Sequence, residues 1–419
     1  MARKVLISFL GTGNPNANRR YDLVNYEFDD GTVINSPLIA HALEEYYNVE
    51  LTILIGTTKS MWEEVYGDER DGDFYCHLME VCKNASNATS EVDFRNDADR
   101  IEKELSGKLK IHLIKYGINH DEIITNIKEI MNLDNDLCDG DELIVDITHS
   151  FRSLPLILMN SIIYLRLFSQ KHISISNIVY GMKENNEARI VELNDVLYLN
   201  EWLTAAYSFK SYGRAEQVAE LLKDENNKAA ASLIKDFSNV INLSYLSGFA
   251  PISKRLKSLN NSDWSPMAQL VIPQVIDDFT RSFPSGMPLY KQQYNVAKWQ
   301  YEKGNYGLSY MSLTEAIVSL VAEISYKERD QTKSKEEFVS DFDVRDKMKS
   351  EYLIKNCANL NKHKEERNFY LSINKIRNTI AHSSMQAGMN TTSLIKSLKE
   401  KIDEFNRLID TNKRAKLID

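Results

Sequence analysis

The stretch Val145-Asp-Ile-Thr-His-Ser-Phe-Arg-Ser-Leu-Pro155, VDITHSFRSLP, decides how the first half of the chain is read. A β-branched run over Glu142 to Thr148 reads as a strand, and the apolar run that follows, Phe151 to Phe168, reads as a helix. Asp146, Thr148, His149, Ser150 and Arg152 gather at the junction between them. In an open parallel sheet, ligands bind in the crevice beyond the carboxyl ends of the strands, where helices that start there point free N–H groups at anions. The junction therefore reads as a buried strand surfacing into a ligand crevice.

Further strands are expected at Lys4 to Leu10, Val24 to Phe28, Leu51 to Ile55, Lys110 to Lys115 and Ile175 to Gly181. Helices are expected at Pro37 to Tyr47 and His120 to Asn132. Strands alternating with helices predict an α/β domain with a mainly parallel sheet. The stretch Asp68 to Arg100 has no place in that alternation and reads as an insertion on the domain.

Two other loops at predicted strand ends share the chemistry of the first: Gly11-Thr12-Gly13-Asn14 and Gly56 followed by Thr57, Thr58 and Lys59. Glycine, hydroxyl and basic groups together suit phosphate and ribose. Each loop alone is equally a turn or a helix cap, since those features use the same residue types; their coincidence at three strand ends favours a nucleotide-like ligand. The beginning GTGNPN imitates a dinucleotide fingerprint, with Asp29 and Asp30 further on, yet its third glycine is missing and Pro15 follows closely. Only about a dozen residues separate the first two strands, which predicts a hairpin there in place of a crossover helix.

The chain has 419 residues, enough for two or three domains, because single cores stop growing at roughly 250 residues. Its formal charge of -9 argues against coating a polyanion by bulk electrostatics, so any polyanion is met at a local site. Cys76, Cys82, Cys138 and Cys357 form neither a zinc pattern nor a disulfide framework, and a reducing, cytoplasmic setting fits them. The start MARKVLISFLGTG is too short in its apolar part for a signal peptide. Leu154 to Phe168 is interrupted by Asn160 and Arg166 and falls short of the roughly 20 residues of a membrane span, so no membrane partner is expected.

After residue 195 helical periodicity takes over. Breaks at Ser247-Gly248, at Pro284 to Pro288 and over Lys327 to Glu337 divide it into an all-α middle segment, 196–288, and an all-α terminal domain, 289–419. In the latter lies Lys375-Ile-Arg-Asn-Thr-Ile-Ala-His382. Arg377 and His382 are about 140° apart on a regular helix, and a helix end near His382 would bring them closer. A cation that grips phosphate and a group that relays protons near neutral pH suffice for cleavage of RNA by its own 2′-hydroxyl without a metal. A surface arginine and a capping histidine would give the same pattern. Asn378 beside the arginine and 12 Lys+Arg against 7 Asp+Glu over residues 361–419 favour the site.

Asp146-Ile-Thr-His-Ser150, with Gly11 to Asn14 upstream, resembles the DxTHG signature of a family of CRISPR-associated proteins, and Arg377-Asn378 with His382 resembles the RNxxxH motif of HEPN ribonucleases. Ser150 stands where the first motif has glycine. The resemblance spans essentially the whole chain. It implies a Rossmann-like CARF domain over 1–195 that senses cyclic oligoadenylates, followed by the helical segment and a HEPN ribonuclease domain. It further implies a homodimer or higher homo-oligomer in which a cyclic oligoadenylate, favoured as cyclic tetra-adenylate by a two-fold axis, activates cleavage of single-stranded RNA. Ligand contacts would come from Gly11, Thr12, Gly13, Asn14, Thr57, Thr58, Lys59, Thr148, His149, Ser150 and Arg152, and catalysis, with no metal or other cofactor, from Arg377, Asn378 and His382. Two other readings stay open: a non-catalytic sensor that docks a partner or nucleic acid, and a sensor domain that also cleaves its own ring.

Overall fold

In a computed structural model of the chain, the described residues are 2–13, 21–149, 153–225, 227–259, 264–284, 286–326, 332–354, 363–381 and 390–418. They fall into two compact units, Met1–Leu197 and Tyr198–Asp419.

The first unit is built on one eight-stranded sheet: β1 (Lys4–Phe9), β2 (Val24–Glu27), β3 (Val33–Ser36), β4 (Leu51–Gly56), β5 (Leu109–Leu113), β6 (Glu142–Asp146), β7 (Ser174–Glu184) and β8 (Glu187–Glu192), in the order β3-β2-β8-β7-β6-β1-β4-β5. The central run β7-β6-β1-β4-β5 is parallel throughout, with Ile7 of β1 opposite Ile53 on one side and Val145 on the other. Such strands need cover on both faces, which is why β1 and β4 are apolar without alternation and buried along almost their whole length.

That cover comes from α1 (Ile39–Tyr47), α2 (Trp62–Tyr66), α3 (Gly72–Asn84) and α4 (Glu91–Glu104) on the face that includes Leu6, Leu54 and Ile144. On the face that includes Val5, Ile7 and Phe9, α5 (His120–Met131) and α6 (Ser153–Phe168) provide it. The stretch expected as an insertion is thus part of the fold: Phe94, Ala98 and Ile101 of α4 are fully buried, and each large apolar side chain so buried stabilises by roughly 1.5–3 kcal/mol.

The edge departs from the sequence expectation. β1 and β2 are not a hairpin; β6, β7 and β8 lie between them. β2 instead pairs antiparallel with β3 around a turn at Phe28–Thr32, where Gly31 takes φ +84°, and parallel with β8. β7 runs past Gly181 to Glu184 and turns back antiparallel into β8, with Asn185 at φ +56° in the turn.

The second unit is helical: α7 (Asn194–Tyr212), whose first residues belong to the preceding unit, α8 (Glu216–Asp224), α9 (Lys228–Asn242), α10 (Leu246–Lys257), α11 (Pro266–Ser282), α12 (Leu289–Glu302), α13 (Tyr306–Tyr326), α14 (Lys335–Ser340), α15 (Phe342–Met348), α16 (Lys364–Ala381) and α17 (Thr391–Arg414). The chain therefore has an N-terminal, mainly parallel α/β sheet domain followed by a helical region. One apolar core joins α7 to α11 and a second joins α12 to α17. Lys335 to Glu337, expected in a break, open α14. The longest apolar helix is α13, not α6: by length and composition alone it could cross a membrane, but 78% of that window is buried inside the protein, which marks a core helix.

Candidate functional site

The carboxyl ends of β4, β1 and β6, neighbours at the middle of the sheet, open into a crevice of about 620 Å³. Gly11, Thr12, Gly13, Thr57, Thr148 and His149 all line it. A larger cavity of about 1140 Å³ lies beside it, but Glu44, Glu64, Asp68, Glu69 and Glu104 outnumber its bases, so it suits an anion poorly.

The crevice rests on a buried carboxylate. Asp146, at the end of β6, is fully buried; it accepts hydrogen bonds from Ser8 Oγ on β1 at 2.6 Å, from Thr148 Oγ1 at 2.5 Å and from the Thr148 backbone N–H at 2.9 Å. Burial pushes its carboxyl upward, and these three donors oppose the shift. Thr148 Oγ1 in turn accepts the Gly181 N–H of β7 at 2.7 Å. Three neighbouring strand ends are thereby tied to one side chain. The Thr148 hydroxyl has both roles filled and holds the floor, which leaves the next residue to face the crevice. The His149 ring lies against Gly11, where an added Cβ would meet the imidazole Cγ at 3.5 Å. Burial lowers its pKa, opposed by Asp146 and assisted by Lys183, which favours the neutral ring, a form with one nitrogen able to donate and one able to accept.

The glycine loop is pinned as firmly. Gly13 takes φ +54°, and a Cβ there would fall 2.2 Å from the Tyr21 ring, so only glycine fits. Tyr21 is anchored by its hydroxyl, which donates to the buried Glu63 at 2.7 Å. Met61 N–H donates to the Gly11 carbonyl, and Ser60 Oγ to the Leu10 carbonyl. Ser60 Oγ also accepts the Thr57 N–H at 3.0 Å, while Trp62 Nε1 donates to the Thr57 carbonyl at 2.8 Å.

This clamp sorts the residues after β4. Thr57 faces the crevice, Thr58 is buried against a smaller adjoining chamber, and Lys59 is exposed and lines neither. The base at the crevice is instead Lys183, beyond the strand end expected from sequence; Tyr21 and Tyr26 line it as well. Only the Asn-Asn turn after Lys183 could have signalled that β7 continues. Asn14, Ser150 and Arg152 lie outside the described residues.

In the helical region Arg377 and Asn378 sit near the end of α16, and His382 lies outside the described residues. Arg377 is half-buried; its Nη1 donates to Asn378 Oδ1 at 3.0 Å, and its Nε is hidden without a partner among the described residues. One guanidinium edge is therefore fixed by the neighbouring amide. Burial raises the pKa of Tyr370, two turns earlier, with Glu315 adding and Arg377 opposing.

A parallel sheet with a glycine and hydroxyl crevice at its strand ends defines a nucleotide-binding type of domain. Residues 5–184 match the family described as the CARF domain of the CRISPR system endoribonuclease Csx1, and residues 198–286 match the second domain of the CRISPR-associated protein MJ1674. Residues 5–184 are thus similar throughout to a Csx1-type CARF domain, and the segment that follows them is similar to the second domain of MJ1674. The chain is 33% identical over 347 residues to the CRISPR-associated protein MJ1674 of Methanocaldococcus jannaschii, an alignment covering 77% of this chain and 54% of that one; the chain spans about half the length of this relative. The Csm6 of Enterococcus italicus, solved bound to cyclic hexa-2′-fluoro-hexa-dAMP, aligns over 97% of this chain and 93% of its own. At 11% identity and a TM-score of 0.38, that likeness carries no residue correspondence.

Proposed function

We propose that the chain is a cyclic oligoadenylate-activated endoribonuclease of CRISPR antiviral defence, with a sensor crevice at the strand ends and a HEPN-type cleavage site around Arg377. The observation that carries the sensor half is the crevice itself: Gly11, Thr12, Gly13, Thr57, His149 and Lys183 all line one space at the carboxyl ends of neighbouring parallel strands. Amides and a single base suit the phosphates of a ring. The ring is a cyclic oligoadenylate; a two-fold dimer suits a ring with an even number of nucleotides, and of these cyclic tetra-adenylate is favoured over the hexamer.

In the helical domain Arg377 would hold the scissile phosphate while Asn378 keeps the guanidinium edge in place. His382 takes the 2′-hydroxyl proton as the 2′ oxygen attacks phosphorus, the bond from phosphorus to the 5′ oxygen breaks, and the leaving oxygen is protonated. The products carry 2′,3′-cyclic phosphate and 5′-hydroxyl ends, and no metal takes part. Arg377 and His382 of two subunits would face each other across the dyad. Self-cleavage of the ring by Thr148 is disfavoured, because its hydroxyl already donates to Asp146 and accepts from Gly181.

The test is cleavage of a fluorescent single-stranded RNA in EDTA, with no ring or with cyclic tri-, tetra- or hexa-adenylate, beside Arg377→Ala and His382→Ala. Activity switched on by one ring and lost in both variants is expected. Tight ring binding with no cleavage under any condition would refute the ribonuclease half and leave a non-catalytic sensor.

A further inference from the structure

Beside the main crevice, and sharing Thr57 and Ile114 with it, lies a chamber of about 300 Å³ between the ends of β4 and β5 and the turn that precedes α4. Ligand pockets run from roughly 300 Å³ upward, so the chamber holds one small unit, not a whole ring.

Its lining is unlike the crevice. Hydroxyl and amide groups dominate, and the charges are already committed. Lys115 pairs with Glu91 at 3.7 Å, and the Glu122 carboxylate accepts the N–H groups of Gly117 and Ile118 and an amide hydrogen of Asn119. A phosphate would find no free cation there, whereas a neutral, polar heterocycle or sugar would.

Two groups remain with capacity to spare. Thr58 is 4% exposed, and its hydroxyl has no hydrogen-bond partner among the described residues, a state that costs roughly 1–3 kcal/mol for a buried polar group. Asn87 sits at the tip of the turn closed by Thr89 N–H on the Ser86 carbonyl at 2.9 Å. Thr89 Oγ1 accepts the Ser86 N–H and Ser86 Oγ the Ala88 N–H, so these turn contacts are made without the Asn87 side-chain amide, and Asn87 is exposed at the chamber. A carboxamide presents one donor and one acceptor side by side, the complement of adenine N7 and N6.

Resting on the sensor reading above, we propose that this chamber takes one adenine nucleoside of the ring while the phosphates stay in the crevice, and that Asn87 is the residue that reads adenine. Thr58 supplies a second hydrogen bond at the chamber wall.

The experiment compares binding of cyclic tetra-adenylate and of the same ring built from inosine, which replaces the N6 amino group by an oxygen, to the full chain and to Asn87→Ala and Thr58→Val. Wild type is expected to prefer the adenine ring at least tenfold. Asn87→Ala should weaken the adenine ring about tenfold and leave the inosine ring unchanged, so that discrimination collapses; a bidentate amide contact to adenine is worth this much. Thr58→Val should weaken both rings equally. Asn87 is an exposed turn residue, and an unchanged melting temperature checks that its variant folds. If wild type binds the adenine ring and Asn87→Ala keeps the full discrimination, the assignment is overturned and the sensor reading stands. If wild type binds no ring, both fall together.

Discussion

Thr148→Val tests the strut under the crevice. Valine keeps the shape and the methyl group facing Gly181 but removes the one oxygen that donates to Asp146 at 2.5 Å and accepts from Gly181 N–H at 2.7 Å. The fully buried carboxylate loses one of three donors, and a backbone donor loses its acceptor. The hydrogen bond to the buried carboxyl and an orphaned N–H together are worth roughly 3–4 kcal/mol. The first unit should lose about that much stability, and because the chain has two units, the readout must be local. Amide exchange followed by mass spectrometry over Lys4–Phe9 and Glu142–Asp146 provides it. At roughly 1.4 kcal/mol per factor of ten, exchange there should quicken over a hundredfold, while Thr148→Ser, which keeps the oxygen, should change it by less than tenfold. If valine quickens exchange by less than fivefold, Thr148 is not a strut, and its hydroxyl returns as a group available to a ligand.

Lys183→Ala should weaken ring binding about fivefold and flatten its salt dependence, whereas Lys59→Ala should do neither; calorimetry at two ionic strengths separates them, and equal effects would refute the placement. Gly13→Ala should cost roughly 1–2 kcal/mol for its φ of +54° before the clash with Tyr21 is counted, and Tyr21→Ala in the same chain should recover only the clash, as thermal unfolding of both variants will show. His112, buried between Glu129 and Asp136 at 2.8 Å each, has its pKa raised: burial works against the charged form, and the two carboxylates outweigh it. Its contribution is therefore complete below pH 6.5 and is lost as pH rises through the raised value, so melting temperature should fall between pH 6.5 and 8.5 in wild type and stay flat in His112→Gln. In the RNA assay Arg377→Lys should remain about a hundredfold down because an ammonium cannot grip bidentately, while Asn378→Ala, which only frees the guanidinium, should lose less; the reverse order would remove Arg377 from phosphate contact.

The centre of the sheet was legible because doubly covered parallel strands write themselves as unbroken apolar runs, as Val5 to Phe9 and Leu51 to Ile55 do. The edge was not. β3 is four residues with two of them exposed, and β8 carries Glu187, Arg189 and Glu192, so neither announces burial. The false hairpin has a related cause: loop length limits which strands are joined tightly, but not which strand fills a position four places away in the sheet. Gly11, Gly13, Thr57, Thr148 and His149 come together at one crevice because the loops that carry them follow three adjacent parallel strands, each of which its apolar run announced. Lys59 misled because the orientation of the third residue of a loop depends on side-chain bonds that pin the loop, the long-range one of Ser60 Oγ to Leu10 and the local one of Trp62 Nε1 to Thr57. No spacing rule carries that information.

The polar cluster of VDITHSFRSLP therefore has two jobs divided along the chain. Asp146 and the Thr148 hydroxyl face inward and spend their hydrogen-bonding capacity on Ser8 and Gly181, which makes a buried carboxyl at the sheet centre tolerable and ties the neighbouring strands to one another. His149, one residue later, is on the outer side, because backbone leaving a strand alternates its side chains. At the end of β4 Thr57 borders both the crevice and the chamber, and Thr58 only the chamber. On the proposed sensor reading, a rigid floor would let a bound ring shift the loops around it, such as the hairpin that carries Lys183, without moving the floor. An effector acts only through the difference in its affinity for two arrangements, so those loops are where that difference has to arise.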